Sequence, residues 1–257
     1  MAVKSGGDWT LRDLHAFNIS VLDQPFATFF DTPHLPALPA NLRTFAETPD
    51  RAAAAEAADI DTYKLLHYLD LAACPEVGQD TTADSFTEKL LHAIGYAPGY
   101  RMILSDQFLP FLVCGVRCTA QADVCVCDEN DILLIVQESR GLDDSADPES
   151  RLIAAAIAAY QRNNHSRVTE LHLPALDDIT FPGITFVNTF PTFYKIRVTV
   201  ALNKAVMEGT YPPTATIVDR YIPRIPRPHS EGMRPVDNRG LILRHFEAFK
   251  RFVASSD

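Results

Sequence analysis

Two acids at the ends of two short apolar runs are the residues of this chain best placed to do chemistry. In the stretch 121–140, QADVCVCDENDILLIVQESR, Asp123 opens one run and Glu138 closes the other. Between them lies CDEND, a polar cluster of the kind that makes a tight hairpin turn. Side chains alternate along a strand, so Ile132, Leu134, Val136 and Glu138 are expected to share one face. A carboxylate that ends an apolar face sits at the rim of a core, where solvent and a cation can reach it. An antiparallel hairpin brings Asp123 towards Glu138, and two neighbouring carboxylates stay ionised most easily with a metal ion between them. The plain alternative is that both acids end strands and face water.

The surrounding segments must hold that hairpin. Residues 82–95 read as a helix with Phe86, Leu90, Leu91 and Ile94 on one stripe and Gly95 as its stop. Residues 101–104 and 108–114 are strand-like, disturbed between and within them by Asp106 and Pro110. After an acidic loop, Pro148 opens a helix that is expected to end at Asn163 and Asn164. Residues 179–189 and 193–200 are rich in β-branched and aromatic residues and read as strands. Residues 202–208 form a short helix stopped by Gly209. The proline-rich, basic segment 211–229 is expected to cross the surface as an extended strap, because proline donates no ladder hydrogen bond. Residues 240–253 close with a helix that turns Leu241, Phe246, Phe249 and Val253 inward. Upstream, residues 1–80 read as a mostly helical region packed on the 81–257 core, with an aromatic anchor at Phe26, Phe29 and Phe30 and a connector around Pro33, Pro36 and Pro39. The fold class expected is α/β: a central mixed β-sheet flanked by helices.

That order of helix, three-strand meander, helix and strand, with Asp123 and Glu138 on the hairpin, resembles the PD-(D/E)XK nuclease superfamily. More narrowly, WTLRDLHAFNI, FTEKLLHAIGY, DVCVCDENDILLIVQESR, LIAAAIAAYQRNN, GITFVNTFPTFYKI and EGMRPVDNRGLILRHFEAFKRF resemble a family of proteins from mushroom-forming basidiomycete fungi. The superfamily resemblance implies a nuclease that holds Mg²⁺ or Mn²⁺ with oxygen ligands. Asp123 and Glu138 would be metal ligands, with the backbone carbonyl of Ser139 as a third and Glu88 of the preceding helix assisting. The lysine of the motif falls at Arg140. Arginine can still grip a phosphate with two donors, but it cannot give up a proton as a lysine can. The proline before the first acid is also replaced, by Ala122.

Composition bounds the partners. At 257 residues and 47% apolar content, the chain can bury a large core. No apolar run reaches bilayer length, and MAVKSGGDWT lacks a signal-peptide core, so an intracellular protein, cytoplasmic or nuclear, is expected. Of five cysteines, Cys114, Cys118, Cys125 and Cys127 cluster in the expected strands and read as buried free thiols; a zinc site is the sharper alternative, although C-x3-C-x6-C-x-C fits no common pattern. A net charge of −10 argues against a protein that coats nucleic acid. The charge is uneven: residues 166–257 carry +3 and the rest −13. A basic last third could hold the phosphate backbone of DNA or RNA opposite an acidic site, or pair with the chain's own acids.

Gln161, on the helix after the hairpin, is a candidate to grip substrate, whereas Tyr160 reads as core. Lys195 and Arg197 either line a basic edge near the sheet's acids or face water. The scattered histidines form no HExxH, and neither a G-x-S-x-G motif nor a phosphate-cradling glycine loop is present. Three functions remain open: a metal-dependent nuclease, a catalytically silent relative used for binding, and an enzyme with an unrelated small-molecule site.

Overall fold

The computed structural model describes residues 4–73, 82–129, 131–139 and 147–253. Their elements run α1 (Leu11–Ala16), β1 (Ile19–Asp23), α2 (Phe26–Phe30), α3 (Ala40–Glu47), α4 (Arg51–Glu56), α5 (Ile60–Ala73), α6 (Thr82–Ile94), β2 (Met102–Val113), β3 (Val116–Cys127), β4 (Ile132–Glu138), α7 (Pro148–Thr169), β5 (Asp178–Val187), β6 (Phe190–Thr199), α8 (Val200–Glu208), β7 (Thr216–Tyr221) and α9 (Val236–Phe249). Seven strands form one sheet in the order β1-β7-β6-β5-β4-β3-β2. It is mixed: β4 pairs with β5 and β1 with β7 in parallel, and the other pairings are antiparallel. Parallel neighbours need a crossover, which α7 supplies between β4 and β5.

Each face of the sheet is covered. One side packs Val124, Val136, Ile184 and Phe186 against α6 and α9 through Leu90, Leu91 and Phe246, together with Phe30, Leu42 and Leu66 from the N-terminal helices. The other packs Cys125, Ile135, Phe181 and Ile196 against Trp9, Leu14 and the length of α7. Alanines at 154–156, 158 and 159 are buried on α7 and let that helix lie close to the strands. Gly183 completes the fit, since a Cβ there would meet Leu152 Cδ2 at 2.9 Å. No helix among the described residues is long and apolar enough to cross a membrane.

Four expectations need correction. First, segment 211–229 does not stay outside the sheet. Its prolines cluster at both ends, and the proline-free centre forms β7, a central strand between β1 and β6. Thr216, Ile217 and Val218 are β-branched, and their amides remain free to join a ladder. Second, α7 continues to Thr169. Asn163 and Asn164 do not end it, because their side-chain amides bind elsewhere. Asn163 clamps the amide and carbonyl of Ile132, and Asn164 those of Leu176. Third, Ile132 does not share a face with Leu134 and Val136. The ladder slips between Val126 and Cys127, which puts Ile132 in the α7 cluster and Leu134 in the α6 cluster. Fourth, Leu241 is only half-buried; the inward face of α9 is Ile242, Leu243, Phe246 and Phe249.

His245 on α9 yields a pH prediction. Burial pushes its imidazole down from 6.5 to about 4; the Arg244 charge acts in the same direction, while a hydrogen bond to the Leu241 carbonyl opposes them. Between these values the unfolded chain binds the extra proton and the folded one does not, so the fold loses stability as pH falls from 6.5 towards 4. Urea melts of wild type and His245→Gln across that window should converge at the acid end. Parallel curves would show that His245 carries none of the slope.

Candidate functional site: the fork between β3 and β4

Strands β3 and β4 stay paired as far as Val124 and Val136 and then part. β4 remains on β5, since Ser139 N donates to the Phe186 carbonyl at 2.9 Å. Side chains bridge the opening. The Glu138 amide, next in line for the ladder, donates to Asp123 Oδ2 at 2.7 Å. Gln137 Nε2 donates to the Gln121 carbonyl. Asp123 and Glu138 are therefore on adjacent strands of the central sheet and in direct contact through one backbone N–H. On the neighbouring strand, Asp106 lies opposite Asp123 in the register and adopts a left-handed backbone with φ 52°. Aspartate tolerates that conformation better than most residues. At this level the side-chain alternation slips by one, so Ala120 and Ala122 share a face with Cys125 and Cys127.

The two carboxylates draw partners from opposite layers. Arg151, in the first turns of α7, directs Nη2 at both oxygens of Asp123, at 3.4 and 3.5 Å. Thr87 of α6 donates its hydroxyl to Glu138 Oε1 at 2.5 Å. Asp123 is 0% and Glu138 2% exposed, so neither lies at a solvent-reached rim nor faces water as the sequence suggested, because α6 and α7 cover the strand ends. A buried carboxylate is tolerable only with charge or hydrogen-bond compensation, and Arg151 and Thr87 supply it here.

The other candidates lie elsewhere or outside the described residues. Arg140 lies outside them. Glu88 faces away from Glu138, pairing with Lys89 at 2.9 Å and receiving Ser105 Oγ at 3.4 Å. Gln161 binds the Leu112 amide and Asn203, and so ties α7 to the outer strand β2. Tyr160 donates to the Leu176 carbonyl from the core. Across β5, Glu138 is level with Pro191, whereas Lys195 and Arg197 are level with Pro182 and Thr180. That places them about 13 and 20 Å further along β6. Lys195 faces Asp31 at 3.5 Å and lies over the Phe252 ring, and Arg197 pairs with Asp178. Cys114, Cys118, Cys125 and Cys127 are free thiols, but only Cys125 and Cys127 are buried as expected; Cys114 and Cys118 lie at the half-exposed outer end of the β2–β3 hairpin.

Thr87, Gln137 and Arg151 are the fork residues that the sequence did not flag. Arg151 left a faint trace, for a cation near the start of a helix opposes the helix dipole and calls for a local anion.

The chain matches no family model and no curated protein.

Among the described residues, no three His, Cys, Asp or Glu side chains gather as a metal-holding group. The fork offers two carboxylates, all-oxygen donors of the type a hard divalent cation takes. The Glu138 amide brings Asp123 into contact with β4, but the Glu138 carboxylate turns to α6 and that of Asp123 to α7, so the two would fit one ion only with Arg151 displaced and a carboxylate turned towards the other.

Proposed function

We propose that this chain has a PD-(D/E)XK-type core and acts as a Mg²⁺- or Mn²⁺-dependent nuclease on DNA or RNA. The observation that carries the reading is the fork itself. Asp123 and Glu138 meet where β3 and β4 part, within the order α6, β2, β3, β4, α7, β5. In this reading Asp123 and Glu138 hold the ion, with Ser139 contributing its carbonyl. A bound divalent ion supplies an activated water and charge stabilisation at the phosphate. The chain's own residues set the stage. The Glu138 amide orients Asp123, Thr87 fixes the rotamer of Glu138, and Arg151 faces both oxygens of Asp123. Arg140 stands at the motif's lysine position, suited to grip a phosphate rather than to move a proton.

Arg151 also favours a second reading, a silent nuclease-like fold that works by binding. A guanidinium already faces both oxygens of Asp123, and both carboxylates are buried.

Cleavage assays separate the two. For a nuclease, purified protein cuts single- or double-stranded substrate only with Mg²⁺ or Mn²⁺, and EDTA stops it. Asp123→Asn and Glu138→Gln, prepared in the same way, fall to background while remaining folded at the assay temperature, although Asp123→Asn removes the charge that faces buried Arg151 and melts earlier than wild type. Arg140→Lys raises the rate if proton transfer is limiting and lowers it if the two-donor phosphate contact matters more. Wild-type protein that neither binds the ions nor cuts either substrate is the silent fold.

A further inference from the structure

The basic last third of the chain is largely paired with the chain's own acids. Arg220 bridges Asp23 and Glu149 at 2.7 and 2.8 Å, Arg251 pairs with Asp31 at 2.9 Å, and Lys250 with Glu247 at 2.6 Å. Arg224 and Arg244 are different. They line a cavity of about 370 Å³ between α2, the connector after it, the end of β7 and α9. Among the described residues no Asp or Glu lines this cavity. The Arg244 guanidinium donates to the Pro36 and Leu35 carbonyls at 2.8 and 3.2 Å, contacts that position it without neutralising it.

The cavity floor is aromatic and polar. Phe26 stands edge-on to Tyr221 and His245, with centroids 5.8 and 5.9 Å apart. The Tyr221 hydroxyl and His245 Nε2 are 2.9 Å apart, and His245 Nδ1 lies 2.9 Å from the Leu241 carbonyl. A carbonyl only accepts, so Nδ1 carries the hydrogen. In the neutral ring Nε2 therefore accepts from Tyr221, and both groups are locked in one orientation. Burial raises Tyr221, while the Arg224 charge and backbone amide act to lower it. Tyr221 ends β7, three strands from β4 and so about 14 Å from the fork across the sheet alone.

We propose that this cavity binds a small aromatic oxyanion, a phosphate monoester or a carboxylate, separately from the fork. The two arginines take the anion, since guanidinium groups match phosphate and carboxylate oxygens. Half-buried Phe26 meets the ring, and the buried Tyr221–His245 pair backs it from behind. The volume is that of a small-ligand site, and a ligand of this class brings the negative charge that the cavity wall lacks.

The test is calorimetry on the full chain with phenyl phosphate, benzoate and inorganic phosphate. Saturable binding of phenyl phosphate or benzoate, tighter than inorganic phosphate, is expected, and the better of the two names the anion. Arg224→Gln changes an exposed side chain and should weaken that binding about tenfold or more without moving the melting temperature. Arg244→Gln should do the same, and its melting curve reports any loosening of the connector. Binding that neither substitution weakens, or no binding of either aromatic probe by folded wild-type protein, overturns the proposal. Loss of metal-dependent cleavage has no bearing on it, because the fork residues are not touched.

Discussion

Arg151→Met should destabilise the protein by about 3 kcal/mol, read as a lower denaturant midpoint with an unchanged slope. Removing one partner of a buried ion pair strands the other, at a typical cost of about 3–5 kcal/mol. The lower end applies because the contacts to Asp123 are long, at 3.4 and 3.5 Å. Arg151 is itself only 8% exposed, so solvent weakens the effect little. Methionine keeps most of the volume, which separates the charge from packing. The double variant with Asp123→Asn should recover most of the loss, and the cycle reports the coupling. A loss that persists in the double variant would mean that Arg151 acts by packing alone. The same variant bears on function. If Arg151 occupies the place of a divalent ion, Arg151→Met should bind Mn²⁺ more tightly than wild type, and added Mn²⁺ should restore part of its stability.

Removal of residues 240–257 should leave a chain that does not fold. Ile242, Leu243, Phe246 and Phe249 are each 0% exposed. Burying each contributes about 1.5–3 kcal/mol, so their joint loss is roughly 6–12 kcal/mol. Whole domains are stable by only about 5–15 kcal/mol. Phe246 is the centre of this face. It meets Phe186 and Phe193, and its carbonyl accepts the Tyr96 hydroxyl at 2.8 Å. Phe246→Ala alone should cost about 3–5 kcal/mol and remain measurable. A truncated protein with the wild-type melting temperature would make α9 an appendage, contrary to its position over β5 and β6.

What could be read in advance followed from local rules. Two short apolar runs around a polar turn marked the hairpin, whose strands are buried on both faces, and period-3.6 patterns marked the helix before it and the one after it. Gly95 and Gly209 marked helix ends, since both adopt the left-handed backbone there, with φ 88° and 70°. Those elements, with turn signals between them, were enough for a mixed sheet flanked by helices and for Asp123 and Glu138 on neighbouring strands.

What only the tertiary structure decided depended on partners distant in sequence. β7 joined the sheet because β1, nearly two hundred residues earlier, and β6 leave a slot between them. Asn163 and Asn164 continued a helix they were expected to end, because Ile132 and Leu176 offered backbone groups to their amides. Thr87, not Glu88, met Glu138, since helix rotation against the sheet chooses which of two adjacent side chains points inward. Arg151 reached Asp123 across 28 residues. A pattern in the chain tells which face of an element is buried, but the identity of the group that meets a buried charge is set by how the layers dock.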